Sequence, residues 1–380
     1  MKIALLTDGI YPYVIGGMQK HSFYLASYFA KNAISVDLYH TSKNLEEADK
    51  LNCFSAEEKK YIHSIVVPFP KQGKIPGHYI RESYEYSRLI FEQLLLQNKE
   101  YDFIYVQGLC GMYLLENKEK IKCAVGINFH GLEMFQNAPD LKSRLAQYFF
   151  KAPVLRSLRN ADVVFSLGGK LTDILIAKGI PKAKISQISI GIDPSWIREE
   201  PFTKSEYIRF VFVGRYERRK GIEELFAAIK QIKERKFNFS VIGEIPGDKR
   251  LADQRIEYHG AVSDPERIKK ILKTADVLVC PSHSEGMPTV ILEGMASGLA
   301  ILATDVGAIG EQVNKDNGLL IPPGNITALK HALTSFIEIP NEQLLEMKKR
   351  SVQKIKDNFL WDKVILLSIE EIQRVISLHS

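Results

Sequence analysis

The chain has 380 residues, 45% of them hydrophobic and 25% charged, with 25 glycines and 16 prolines. That composition suits a globular protein of two or three domains and excludes a disordered, collagen-like or low-complexity chain. The net charge of +6 is unevenly placed: residues 1–190 hold 24 Lys and Arg against 18 Asp and Glu, which leaves 27 of each for residues 191–380. The excess in the first half points to an anionic partner, a phosphorylated substrate or a phospholipid surface, with random scatter as the alternative. Its cations are spread singly and make no nucleic-acid arm.

Residues 3–7 open the chain as a strand, too short and too soon interrupted for a signal-peptide core. No apolar run reaches the roughly 18 residues of a membrane span, so a cytoplasmic protein is expected, soluble or peripheral at the inner face of the membrane. The four cysteines, Cys53, Cys110, Cys123 and Cys280, form no CxxC pair, which argues against a disulfide framework or a zinc site and fits a reducing compartment. After the first strand, Gly16-Gly17 precede a helix over 18–30. Glycine lets backbone approach a ligand closely, and free N–H groups at a helix start favour an anion. A tight turn would use the same residues.

Strands follow at 36–39, 65–68, 103–106, 124–128, 163–166 and 185–188, separated by helical spacing at 79–96, 141–159 and 171–178. His130-Gly131 stand just past the strand at 124–128. The segment 141–159 mixes Lys142, Arg144, Lys151, Arg156 and Arg159 with Leu145, Tyr148, Phe149, Phe150 and Leu158. It reads first as a packing helix with snorkelling basic side chains, and second as a face for an anionic membrane.

The period breaks over 191–206 and a new unit begins at 210. We expect two doubly wound α/β domains, 1–190 and 191–360, with a final helix at 361–380 that must pack on something already built. The second half has strands at 210–213, 240–243, 256–258, 277–280, 301–304 and 319–322. Past the first of these, Arg215 and Lys220 lie at the carboxyl end of a strand, where open sheets bind ligands, and would suit a diphosphate. Arg218 and Arg219 read as their solvated neighbours. Glu285-Gly286-Met287-Pro288 form a loop, with a helix from Pro288 or Thr289, and Glu293 lies one turn deeper on the face of Thr289. Two carboxylates flanking a helix start make sense if they bind sugar and ribose hydroxyls while the helix start, with Thr289 and Val290, holds phosphate.

These residues together resemble the retaining glycosyltransferases of the GT-B class called family 4. The resemblance rests on the Tyr-Pro…Gly-Gly loop, His130-Gly131, Gly191-Ile192-Asp193, Gly214-Arg215…Lys220-Gly221, Glu285…Glu293 and Trp361-Asp362, and spans nearly the whole chain. It implies two Rossmann-like domains facing each other across a cleft, the first binding the acceptor and the second the nucleotide sugar, with the last helix crossing back onto the first. It implies that Gly16 and Gly17 contact the donor diphosphate or line the acceptor side, and that Arg215 and Lys220 bind the diphosphate. Glu285 would hold donor-sugar hydroxyls, with Gly286, Met287 and Pro288 touching the sugar through main chain. Thr289 and Val290 would donate to phosphate, Glu293 would hold the ribose, and His130 would stand beside the sugar.

The implied reaction moves a hexosyl group from a UDP- or GDP-sugar to a sugar or lipid-linked acceptor, with retention of configuration. Two positions depart from the pattern: Ile190 stands where asparagine is common and Gln19 where an acid is common. No Asp-x-Asp is present, so cationic side chains would do the work of a divalent ion, and no metal or cofactor is expected. A sugar-nucleotide epimerase or phosphorylase on the same fold, or an inactive sugar-nucleotide-binding protein, are the rival readings. Nicotinamide chemistry lacks its GxGxxG fingerprint.

Overall fold

The computed structural model describes residues 1–70, 78–202, 206–233 and 236–379. Residues 203–205 of the expected linker and residue 380 of the last helix lie outside them. The chain builds two all-parallel sheets. The first contains β1 (Lys2–Leu6), β2 (Ser35–His40), β3 (Ile62–Val66), β4 (Phe103–Gln107), β5 (Ala124–Asn128), β6 (Val163–Ser166) and β7 (Ile185–Gln187), in the order β3-β2-β1-β4-β5-β6-β7. The second contains β8 (Ile208–Val213), β9 (Phe237–Ile242), β10 (Ile256–Gly260), β11 (Val277–Cys280), β12 (Ala300–Thr304) and β13 (Gly318–Ile321), in the order β10-β9-β8-β11-β12-β13. This is the expected α/β architecture of two doubly wound units.

The central strands are buried at every position because helices cover both faces of a parallel sheet, and β4, β5 and β12 are apolar up to their last residues, Gln107, Asn128 and Thr304. The third strand starts earlier than its apolar run suggested, at Ile62 rather than Ile65. It is an edge strand, so His63 and Ser64 are tolerated in it, and register with β2 runs from Val36↔Ile62 to His40↔Val66. In each sheet the order reverses once, between β1 and β4 and between β8 and β11. Open sheets bind ligands at such switch points, beyond the carboxyl ends of the strands. The loops carrying Gly16-Gly17, Arg215–Lys220 and Glu285–Pro288 follow β1, β8 and β11, so the chain's motifs cluster at the two crevices.

The last helix, Trp361–His379, buries Trp361, Val364, Ile365, Ser368, Ile372 and Val375, one stripe at helical spacing. It lies on the first unit: Trp361 stacks on Tyr24 and Tyr28 of the Gly17–Lys31 helix at 5.7 and 5.6 Å. The chain crosses between the units twice, and the crossings pair. Ile192 N–H donates to the Phe359 carbonyl at 2.7 Å, and Trp361 N–H to the Ile192 carbonyl at 3.2 Å. A Cβ on Gly191 would fall 2.5 Å from the Trp361 ring, so only glycine lets the crossings close up.

Candidate active site

Glu285 is the centre of the second unit's crevice. Its buried Oε1 accepts from Lys220 Nζ at 2.7 Å and from Ser282 Oγ at 2.8 Å, and its Oε2 from Arg219 at 3.2 Å. Burial by itself would raise the carboxyl's pKa; the Lys220 and Arg219 charges and these hydrogen bonds outweigh it and hold the group below the usual carboxylate range. Gly221 makes the cluster possible. It has φ +68°, and a Cβ there would fall 2.0 Å from the Pro281 carbonyl, so glycine lets the β8 loop lie directly on the β11 loop.

The structure separates the two expected cations. Arg215 does not stand with Lys220: its side chain is 80% exposed and pairs with Glu217 at 2.7 Å. Arg219, read from sequence as a solvated neighbour, takes that place because the short helical turn Arg218–Lys220 points both it and Lys220 at Glu285. Arg218 turns to Glu224 at 2.8 Å, where His283 also bonds at 3.0 Å. Despite burial, these partners hold the Glu224 carboxyl down at about 2.

The helix Thr289–Ala296 begins after Pro288 with no side-chain cap among the described residues, which leaves its first N–H groups, at Thr289 and Val290, without a capping partner. Met287 is buried, and its Sδ accepts from the Ile190 N–H at 3.3 Å. Glu293 does not share Glu285's surroundings. It reaches the first unit and pairs with Lys20 Nζ at 2.5 Å, in a recess with Thr289, Asp193, Trp196 and Trp361.

His130 comes to this crevice from the other side. It follows β5 at φ +59°, a left-handed conformation unusual for a side-chain-bearing residue and frequent at functional sites. Its N–H donates to Asn128 Oδ1 at 2.7 Å, and its Nε2 lies 2.6 Å from Gln107 Oε1. The Gln107 amide nitrogen lies 3.0 Å from His21 Nδ1. With the amide so oriented, Gln107 accepts from His130 Nε2–H and donates to His21 Nδ1. Both imidazoles are kept neutral: burial pushes His130 down to about 4, and burial with the neighbouring His130 pushes His21 well below its ordinary value.

The two loops touch. A Cβ on Gly286 would lie 2.3 Å from the His130 carbonyl. Gln136 Nε2 bridges the units, donating to the Gly131 carbonyl at 2.5 Å and to the Glu285 carbonyl at 2.6 Å. Beside this contact a cavity of about 400 Å³ opens between Gln136, Lys170 and Asp173 of the first unit and His283, Asp305 and Gly307 of the second. Gly16 precedes the Gly17–Lys31 helix without a side-chain cap, and the space where a Gly17 side chain would stand is open. Gln19 holds Asp8 at 2.7 Å, and burial pushes the Asp8 carboxyl up to about 6. Among the described residues, no group of three or more His, Cys, Asp or Glu side chains is placed to hold a metal ion.

The sequence reading thus found Glu285, Lys220, Gly286 and His130, which the fold brings together. It missed Arg219, Ser282, Gln136 and Gln107. Ser282, three residues before Glu285, was open to local inspection; the two glutamines act across units or strands and leave no local pattern.

Two family models cover the chain between them: "Glycosyltransferase Family 4" matches residues 15–196 and "Glycosyl transferases group 1" matches residues 195–354. The chain is 28% identical over 321 residues to the uncharacterized glycosyltransferase MJ1178 of Methanocaldococcus jannaschii, covering 82% of this chain and 85% of that protein. It is 32% identical over 191 residues, 48% of each chain, to TuaC of Bacillus subtilis, whose name is that of a teichuronic acid biosynthesis glycosyltransferase. The fold matches Alr3699/HepE of Anabaena, solved in complex with UDP, at a TM-score of 0.72 and 16% identity over 98% of this chain and 100% of that one. With both models fitting in sequence order onto two facing α/β units, the chain belongs to the group 1 glycosyltransferases and is a glycosyltransferase of the GT-B fold.

Proposed function

We propose that the enzyme transfers a hexosyl group, with retention of configuration and without a divalent ion, from a UDP- or GDP-sugar to a hydroxyl of a sugar or lipid-linked acceptor in cell-surface polysaccharide or glycolipid synthesis. The observation that carries this reading is the buried, ionised Glu285 gripped by Lys220 and Arg219, with its loop against His130-Gly131 of the facing unit. The interlobe cavity of about 400 Å³, which is of the size that ligand sites take, lies beside this contact and is lined by Gln136 and His283 rather than by Glu285 or His130 themselves. UDP in the Anabaena structure and the teichuronic acid label on the Bacillus relative support the donor and product classes.

In this mechanism Glu285 accepts hydrogen bonds from donor-sugar hydroxyls and Gly286 lets the sugar lie close to main chain. As the bond from the anomeric carbon to the phosphate oxygen breaks, negative charge grows on the diphosphate. Lys220, with Arg219 beside it, and the uncapped N–H groups at Thr289 and Val290 stabilise that charge. A preorganised donor of this kind contributes about 3 kcal/mol. The acceptor oxygen bonds to the anomeric carbon from the same face, and its proton passes to the departing phosphate oxygen. The neutral His130 offers its free Nδ1 as an acceptor for a sugar hydroxyl.

The test is a transfer assay across a panel of nucleotide sugars. Glu285→Ala and Lys220→Ala should each lower turnover about a hundredfold. EDTA should leave the rate unchanged, and NMR of the product should show the donor's anomeric configuration. Near-wild-type rates in both variants would remove the mechanism, and loss on chelation restored by added metal would remove metal independence. Release of nucleoside diphosphate without an acceptor would favour the epimerase reading.

A further inference from the structure

The helix Leu141–Asn160 is packed along only part of its length. Its second half enters the core: Val154, Ser157 and Leu158 are buried. Its first half stands out, with Leu141, Leu145, Tyr148 and Phe149 exposed at 80, 63, 68 and 54%. The first sequence reading, a packing helix, therefore holds for Phe150 and Leu158 and fails for Leu145, Tyr148 and Phe149. The four exposed side chains lie at i, i+4, i+7 and i+8, so they form one continuous stripe, with Phe150 and Val154 on the opposite face. Helical geometry puts Lys142 on one flank of the stripe and Arg144 and Lys151 on the other. The helix has five cations and no acidic side chain, within a half-chain that holds the molecule's whole positive excess.

We propose that this outward face docks on an anionic lipid bilayer. An apolar stripe with aromatic side chains and basic flanks is what an in-plane interfacial helix presents: the stripe enters the acyl boundary while the lysines and arginines reach the phosphates. A protein partner would need acidic groups matched to both flanks, whereas an anionic headgroup layer supplies them everywhere. The opposite face of the helix borders the first unit's crevice. With Phe150 and Val154 the same helix walls a cavity of about 190 Å³ whose lining includes Phe129, the neighbour of His130 in sequence, and Glu133 and Asp8. Docking would therefore hold that cavity over the membrane surface, where a lipid-linked acceptor presents its hydroxyl. This last step rests on the proposed transfer to such an acceptor; the docking itself does not. Among the described residues no helix is long and apolar enough to cross a membrane.

The experiment is vesicle flotation of the full chain, with phosphatidylcholine vesicles and with phosphatidylcholine mixed with phosphatidylglycerol, at low and high salt. Wild type should float with the anionic vesicles at low salt and lose binding as salt rises. The Lys142→Gln/Arg144→Gln/Lys151→Gln variant should partition roughly a hundredfold less, at about fivefold per cation, and Leu145→Asn/Tyr148→Ser/Phe149→Ser should lose binding likewise. Both variants should retain the wild-type melting temperature and the wild-type rate on a water-soluble acceptor, which separates this surface from the transfer chemistry. No flotation by wild type, or equal flotation by both variants, overturns the proposal. Concentration-dependent dimers that the apolar variant abolishes, without flotation, would overturn it in favour of a second copy as the occupant. Flotation with no transfer activity on any donor would leave docking standing and sink the proposed reaction.

Discussion

Gln107 is a residue whose value comes only from its two neighbours. One amide sets both imidazoles: its oxygen requires a proton on His130 Nε2, and its nitrogen requires a bare His21 Nδ1. Gln107→Leu would strip partners from both rings, at a cost of about 1–3 kcal/mol for buried groups left unsatisfied. We expect a turnover loss with little change in donor affinity, and altered 15N shifts of both rings by NMR; an unchanged His130 tautomer would show that the amide does not set it. The pH dependence follows from the same burial. The folded His130 titrates near 4, whereas an unfolded imidazole titrates at about 6.5. The unfolded chain therefore binds more protons between these values, and the stabilisation is complete above about 6.5 and is lost as pH falls toward 4. Asp8, pushed up to about 6, works in the opposite direction because its folded state holds the proton longer. Titration of each group by NMR should separate the two, and a His130 midpoint near 6.5 would contradict its burial.

At the scale of elements, the buried stripe of the last helix begins with its largest side chain, Trp361. Trp361 is fully buried between Gly191, Tyr24 and Tyr28, and neighbours His21 at 5.4 Å. Trp361→Ala should cost about 3–5 kcal/mol, measured by urea unfolding, and should lower activity because the same ring backs the Lys20–Glu293 recess. Loss below about 1 kcal/mol would mean the crossing is held by its backbone bonds. Most elements were legible in sequence because a parallel sheet covered on both faces writes itself as short apolar runs between helical periods. Ile62 and Phe237 began strands before the apolar run did, because edge position and alternation let polar His63, Ser64, Asn238 and Ser240 into a strand. Glu285, Lys220 and His130 were legible because glycines and a proline surround them. Arg219 beside Lys220 was not legible because spacing along a loop does not say which of four basic side chains the turn aims at Glu285. The Leu141–Asn160 helix misled for a related reason: its apolar residues describe a stripe, and a stripe does not state what covers it.

The two units are held face to face by contacts of unequal worth. The Lys20–Glu293 and Lys170–Asp305 pairs cross the cleft at 2.5 and 2.9 Å, the latter at a site about half exposed, and such exposed pairs contribute about 0–1 kcal/mol. The close approach of Gly286 to the His130 carbonyl is a matter of shape and ignores salt. Gly286→Val should therefore open the cleft, raising the radius of gyration in solution scattering and abolishing transfer while each sheet stays folded, whereas high salt should barely change that radius. An unchanged radius in the variant would mean that the loops yield instead. The return of the final helix has a consequence for how the molecule is made. Tyr24 and Tyr28 leave the ribosome early, yet the ring that caps them is encoded more than three hundred residues later. At cellular elongation rates that gap is roughly twenty seconds to a minute, during which an aromatic patch stays uncapped on the nascent chain and available to a chaperone.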